Sequence, residues 1–226
     1  MDVTPPHQYG ECMASDTIPA RRERAELCDL FLELGPDEPT LCGDWTTRDL
    51  AAHLVVRERR PDAAVGIIVS KLAGYTDKVQ SGVADTEWTE LVGTVRSGPP
   101  TWSPTRIAKV DGLANTVEFF VHLEDVRRAQ PTWAPRGLDA DLVDTLYGVL
   151  AKMAKRLVKG SSVGIVLEPD DSHGPIIAKQ AEPSVTVRGP VGELLMFVYG
   201  RQAHSKVELF GDDESVAAVN SADFGI

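Results

Sequence analysis

The chain has 226 residues and a formal net charge of −11, with 42% hydrophobic and 25% charged residues. This length suits one large domain or two small ones, and the composition is that of an ordinary folded protein. Binding to nucleic acid or to anionic membranes needs a dense basic patch, so the acidic balance argues against both as partners.

The cysteines and the start of the chain indicate the compartment. Cys12, Cys28 and Cys42 are widely spaced and form no CxxC pair, so that we expect no disulfide framework and predict a reducing cytoplasm. The first residues lack the basic and apolar regions of a signal peptide, and no segment is long and apolar enough for a membrane span. We expect residues 1–16 to form a loose tail. Cys42 precedes a predicted helix and could approach a site there, but we favour a buried thiol without a function.

Helical periodicity dominates residues 17–160, which we predict to form one helical domain. Thr46 or Thr47 can cap the helix that carries His53, and the longest uninterrupted helical pattern follows some 50 residues later. The patterns predict an antiparallel bundle of four or five helices. They cover residues 18–34, 46–60, 61–74, 86–95, 106–129 and 138–158.

The pattern changes after residue 160, where short β-rich runs alternate with short helical ones. Strands are predicted at residues 163–167, 184–187 and 206–210, and helices at 191–200 and 212–219. Residues 161–226 are therefore predicted to form a small α/β domain. The fold class that we predict for the whole chain is α+β, with the helical bundle first.

The longest predicted helix contains VEFFVHLEDVRR, in which Glu118 and His122 are four residues apart and lie on one helical face. His53 is the only histidine in the other predicted helices of the bundle, which makes it the candidate third ligand. Two imidazoles and one carboxylate are typical of catalytic zinc, and iron, nickel and manganese also suit these ligands. Asp125 is a candidate acceptor for an imidazole N–H. The spacing alone also fits a surface ion pair and a core histidine.

The segments WTTRDLAAHL and VEFFVHLEDVRR resemble the DinB-like metal-binding bundle, specifically its actinobacterial branch of mycothiol-dependent maleylpyruvate isomerases. In that family a histidine follows a Trp-containing helix start, and a Glu-x-x-x-His comes from a later helix. These motifs fall on His53, Glu118 and His122. The segment VRGPVGELLMFVYGRQAHSKVELFGD extends the resemblance to the C-terminal domain, so that it spans about residues 20 to 220.

The resemblance implies a four-helix bundle that holds a divalent metal and uses mycothiol as a cofactor. In this family the metal keeps the thiol as a thiolate, which adds to a double bond of the substrate, permits rotation and then leaves. Arg201 of YGRQAH matches the position expected to hold the carboxylates of a small anionic substrate as a catalytic residue. The segments RERRPDAAVG and EDVRRAQP are closer to another subgroup of the branch, which leaves the substrate open.

Arg57 lies one turn beyond His53 and is a candidate to bind the cofactor. The favoured alternative for this arginine is a salt bridge with Glu58, Glu124 or Asp125. The function that we predict is a thiol-dependent isomerase or transferase with a metal-activated thiolate, acting as a monomer or homodimer. The alternative is a non-catalytic metal-binding or sensing protein with the same fold.

Overall fold

The computed structural model describes residues 18–60, 62–63, 73–100 and 108–225, and they form an α+β fold, as predicted. The N-terminal part is helical, with α1 Pro19–Leu34, α2 Thr47–Arg59, α3 Ala73–Ala84, α4 Trp88–Ser97, α5 Ala108–Arg128 and α6 Ala140–Leu157. The C-terminal part holds β1 Gly164–Pro169, β2 Ile176–Lys179, β3 Ser184–Gly189, α7 Val191–Val198, β4 Glu208–Phe210 and α8 Asp213–Asn220. The predicted tail and most of the predicted helix at residues 61–74 lie outside the described residues.

The helices α1, α2, α5 and α6 begin and end within about two residues of their predicted positions, and α1 and α6 each bury a regular apolar stripe. Helix α3 was not predicted. Its sequence AGYTDKVQSGVA contains two glycines and few apolar residues, so that neither propensity nor periodicity marks it as a helix. It packs against α2, which indicates that tertiary contacts stabilise it.

Two hydrophobic cores hold the described chain together. The first lies between α1, α2, α4 and α5 and includes Phe31, Leu50, Leu91 and Phe119. The second joins α5, α6 and α7 to the sheet, with Leu146 of α6 buried in it. Helix α6 precedes the predicted domain boundary near residue 160 and packs into the core of the sheet, while the boundary itself stays a prediction.

The sheet has the strand order β2-β1-β3-β4, with β1 and β3 parallel at its centre and the outer pairs antiparallel. Paired residues such as Ile165 with Val185 and Leu167 with Val187 point to the same face and are fully buried under helices. The edge strand β2 was not predicted, because four residues are too few to show an alternating pattern. No helix in the described ranges is long and apolar enough to cross a membrane.

A buried ionic network connects the helical part to the C-terminal part. Arg128 of α5 donates two hydrogen bonds to Glu193 of α7, at 2.8 and 2.6 Å, and a third to Glu124 at 2.6 Å. These side chains are at most 5% exposed. Because a buried charge without a partner is costly, the network fixes the distance between α5 and α7.

Replacing Glu193 should test how strongly this network stabilises the fold. We expect Glu193→Gln to lower the free energy of unfolding by about 3 kcal/mol, since it leaves the buried Arg128 without one of its charge partners. The control is Asp29→Asn, which removes the exposed ion pair with Arg96 and should cost less than about 1 kcal/mol. Urea unfolding of both variants measures the difference, and equal losses would contradict the prediction.

Candidate metal centre

The structure brings His53, Glu118 and His122 together, from two helices that are separated by more than 40 residues in the chain. The Oε1 atom of Glu118 lies 3.3 Å from Nε2 of His122 and 3.6 Å from Nε2 of His53. One ligand atom from each residue lies within 4.8 Å of the other two. The side chains of the two histidines are 10% and 13% exposed and that of Glu118 is 24% exposed, so the group is partly open to a ligand.

The start of α2 sets the position of His53. Thr46 caps this helix in a capping box with Asp49, in which each side chain bonds to the backbone N–H of the other residue. The ring of Trp45, just before the cap, lies 5.1 Å from the ring of His53. In the same loop, Leu41 N–H donates to the backbone oxygen of Asp125 in α5. The cap and the loop thus position the first ligand relative to the helix that carries the other two.

The second ring nitrogen of His122 faces a buried carboxylate. Its Nδ1 lies 3.2 Å from Oδ2 of Asp125, whose side chain is fully buried. The Sγ atom of Cys42 lies 3.1 Å from the same oxygen and 3.8 Å from Nδ1. A proton on Nδ1 that is bonded to Asp125 leaves the lone pair of Nε2 on the side of Glu118, as metal binding requires. Cys42 is half-buried and belongs to this hydrogen-bonded group, so its contacts follow the less favoured of the two expectations for this thiol.

Arg201 reaches this group from the loop after α7. Its Nε and Nη2 donate to the two carboxylate oxygens of Asp125 at 2.8 and 2.7 Å, and its Nη1 donates to the backbone oxygen of Tyr199. The guanidinium therefore binds a carboxylate of the protein through two parallel hydrogen bonds, in the geometry that was expected for a substrate carboxylate. Residues from the helical and the C-terminal parts of the chain meet at this point.

Arg57 also belongs to the site, with a different carboxylate partner from those expected. Its Nε lies 3.1 Å from Oε1 of Glu118, and its Nη1 donates to the side chain of Asn115 at 2.8 Å. The expected salt bridges are not formed, since Glu58, for example, pairs with Arg24 inside the first core. The preference for those salt bridges was wrong because the three acids face other arginines in the folded chain. Arg57 instead lies beside the candidate ligands.

The electrostatics of the metal-free group favour a proton on His122. Burial would lower the pKa of His122, but hydrogen bonds to Asp125, Cys42 and Glu118 hold it well above its usual range. Burial would raise the pKa of Glu118, but hydrogen bonds to His122 and His53 hold it well below. Burial lowers the pKa of His53, which is therefore neutral and able to coordinate a cation. A metal ion at the group would replace the proton on Nε2 of His122.

The three side chains fit a divalent metal. In a tetrahedral zinc site with bonds of about 2.0–2.1 Å, neighbouring ligand atoms are about 3.3 Å apart. The separations of 3.3 and 3.6 Å from Glu118 to the two imidazoles are close to this value. Cys42, His122 and Asp125 also lie within 4.8 Å of one another. The guanidinium of Arg201 already supplies the positive charge there, so the first group is the better candidate for a metal.

Comparisons with models of protein families and with curated protein sequences gave no match. Comparison with solved structures gave the crystal structure of a mycothiol-dependent maleylpyruvate isomerase and that of a mutant in which one histidine is replaced by alanine. Each aligns with 86% of this chain and 91% of the isomerase, with a TM-score of 0.60 and 14% sequence identity. The predicted resemblance to this isomerase is thus confirmed at the level of the fold.

The buried Asp125 should make stability depend on pH in the metal-free protein. Burial would raise the pKa of this carboxyl, but hydrogen bonds to His122 and Arg201 lower it from 3.8 to about 2. The ionised group therefore contributes stability that is present above about pH 4 and is lost as the pH falls through 2. We expect Asp125→Asn to lower the free energy of unfolding by about 2 kcal/mol at pH 7, and by roughly half as much at pH 3.

Urea unfolding in the presence of a chelator measures this effect at the two pH values. The matched control is Asp141→Asn, which removes an exposed carboxylate bonded to Arg22 and should have a small effect at both. A loss for Asp125→Asn that is the same at pH 3 and pH 7 would show that the ionisation of Asp125 does not contribute.

Proposed function

We propose that this chain binds a divalent metal, preferably zinc, through His53, Glu118 and His122. The observation that carries the proposal is the convergence of three ligand atoms within 4.8 Å, with Glu118 at 3.3 and 3.6 Å from the two imidazole nitrogens, close to the separation in a tetrahedral site. Two imidazoles and one carboxylate leave a fourth position for an exogenous ligand, as catalytic zinc sites do. Iron, nickel and manganese fit the same ligands, and metal analysis decides between them.

We further propose that a small-molecule thiol, with mycothiol as the first candidate, occupies the fourth position, and that the chain is an isomerase or transferase. The isomerase with the same fold depends on mycothiol, according to its description. A bound zinc ion would lower the pKa of such a thiol, so that it reacts as a thiolate near neutral pH. The surrounding protein shields the group, since the two histidine side chains are at least 87% buried.

Arg57 is proposed to contact the thiol cofactor or an anionic substrate at the metal. Its guanidinium is bound to Glu118 and held by Asn115, so it stays beside one of the proposed metal ligands. Its side chain is 24% exposed, which gives an incoming anion access to it. A fixed guanidinium is suited to binding carboxylates. The substrate class that we propose is accordingly a small anionic molecule.

Arg201 is proposed to act on the same reaction by positioning His122. It holds Asp125 through two hydrogen bonds, and Asp125 in turn accepts from the imidazole of His122. Partners of this kind orient a metal ligand and select its tautomer. Binding of a substrate carboxylate through Nε and Nη2, a form of the role that the resemblance implies, would require the guanidinium to release Asp125. The contacts of Arg201 therefore favour the positioning role.

We also propose the type of helical bundle, the extent of the C-terminal domain and the cellular compartment of the protein. Helices α1, α2, α4 and α5, which share one hydrophobic core, are proposed to be the antiparallel DinB-like bundle within residues 17–160. Residues 161–226 are proposed to be the smaller α/β domain. We propose that the protein functions in the reducing cytoplasm, where thiols such as those of Cys28 and Cys42 stay reduced.

Metal analysis tests the site directly. We expect about one divalent ion per chain in untagged protein. The metal content should fall at least tenfold in His53→Ala and in His122→Ala, because each variant removes one of the three proposed ligands. The matched control is His173→Ala, which removes a histidine that pairs with Asp144 and Asp171 and is not one of the proposed ligands. This variant should leave the metal content unchanged. Equal metal content in all four folded proteins would contradict the proposal.

Thermal unfolding tests whether the metal-loaded protein binds mycothiol. We expect mycothiol at about 100 times its Kd to stabilise the metal-loaded protein by about 2.7 kcal/mol, which raises Tm by a few degrees. The metal-free protein and His122→Ala should show no such shift, because the thiolate then has no metal to bind. If the metal-loaded protein is not stabilised either, mycothiol is not the ligand, and the result favours the alternative of a non-catalytic metal-binding protein.

A further inference from the structure

The two faces of the C-terminal sheet differ in their environment. Helices cover one face, where the side chains of β1 and β3 that point inward are buried. On the other face, among the described residues, two large apolar side chains are open to solvent: Ile177 of β2 is 58% exposed and Phe210 of β4 is 47% exposed. These two strands are the edges of the sheet, so apolar surface stands at both sides of the uncovered face.

A continuous row of side chains joins these two residues across all four strands. Val166 pairs with Ile177 on one side and with Thr186 on the other, and Thr186 pairs with Phe210. Because paired residues of neighbouring strands point to the same face, the four side chains stand side by side on the open face. We call this set, Ile177, Val166, Thr186 and Phe210, the apolar row.

A second row of alternating charge runs parallel to the first. Arg188 of β3 pairs with Glu168 of β1 and with Glu208 of β4, so the three form a negative–positive–negative series. The Nη2 atom of Arg188 lies 2.9 Å from Oε1 of Glu168, and its guanidinium lies 4.8 Å above the ring of Phe210. We call this set the charged row. All three of its residues remain accessible, since Glu168 and Arg188 side chains are 39% and 45% exposed and Glu208 is exposed.

A second copy of the sheet, related to the first by a two-fold rotation, would present matching residues to both rows. Consider an axis parallel to the strands, midway between β1 and β3, in the plane between two facing sheets. The rotation places β1 of one copy opposite β3 of the other and β2 opposite β4, and it keeps each row at its own height. Glu168 of each copy then faces Arg188 of the other, and Ile177 of each copy faces Phe210 of the other. Opposite charges and large apolar groups are matched twice.

From this complementarity we infer that the open face of the sheet is a homodimer interface, with a second copy of this chain as its occupant. Facing sheets pack at an angle of about 30°, so alignment is best near the axis, where Glu168 and Arg188 lie. The two rows contain seven residues, fewer than the roughly 20–30 that each partner contributes to a standard stable interface. We therefore expect a weak dimer, with a Kd on the order of 10–100 µM.

Sedimentation velocity over roughly 5 to 500 µM covers the expected range of association. The parent protein should change from monomer to dimer across it. Ile177→Lys should weaken association at least tenfold, because it buries a charge against Phe210 of the second copy. Arg188→Glu should have an effect of the same size, because it places like charges opposite each other at Glu168. The triple variant with Glu168→Arg, Arg188→Glu and Glu208→Arg keeps the charges alternating within each copy and restores the pairs between copies, so it should dimerise again.

The matched control is Leu32→Lys, since Leu32 on α1 is a similarly exposed apolar residue, at 49%, outside the sheet. It should associate like the parent. Thermal unfolding of each variant checks that the fold is kept. A parent that stays monomeric over the whole range, or a dimer that Ile177→Lys leaves unchanged, would overturn the inference. Because the interface does not include the metal centre, the result is expected to be the same with zinc and with a chelator.

Discussion

The buried carboxylate of Asp125 connects the parts of the chain that form the candidate metal centre. It accepts hydrogen bonds from His122, from the thiol of Cys42 and from Arg201, while its backbone oxygen accepts from Leu41. A carboxylate without exposure is stable as an anion only if such partners replace water. The helix of His122, the loop that leads into α2 and the loop after α7 are therefore held to one another at this point.

The charges around this carboxylate favour a particular kind of exogenous ligand. Glu118 and Asp125 supply two negative charges, and Arg57 and Arg201 supply two positive charges. These four groups offset one another, so the charge of a divalent ion at the proposed site would remain uncompensated. An anionic fourth ligand, such as a thiolate, would then be favoured over a neutral one. The pattern of charges thus favours an anionic ligand at the proposed site, a class that includes the proposed thiolate.

Helix α5 is apolar on two of its sides, which explains why it can serve both parts of the protein. Phe119 lies in the core of the helical part, whereas Phe120 lies in the core that includes the sheet. The face between them presents Glu118, His122 and Asp125, because positions 4 and 3 residues apart lie on one side of a helix. Its boundaries and the shared face of these three residues follow from periodicity in the sequence. The orientation of that face toward α2 depends on packing against two cores at once.

Local sequence patterns and contacts made only in the folded chain also differ in what they allow us to predict at the site. The grouping of His53, Glu118 and His122 was predicted from helical spacing for the last two, from the scarcity of helical histidines for the first, and from the family resemblance for all three. The partners of Arg57 and Arg201 were not, since an arginine pairs with whichever carboxylate the tertiary structure brings near it. Arg201 illustrates the consequence: its position matched a substrate-binding motif, yet its guanidinium is bound to a carboxylate of the protein. A motif identifies an arginine that binds carboxylates, and only the folded chain shows which carboxylate it binds.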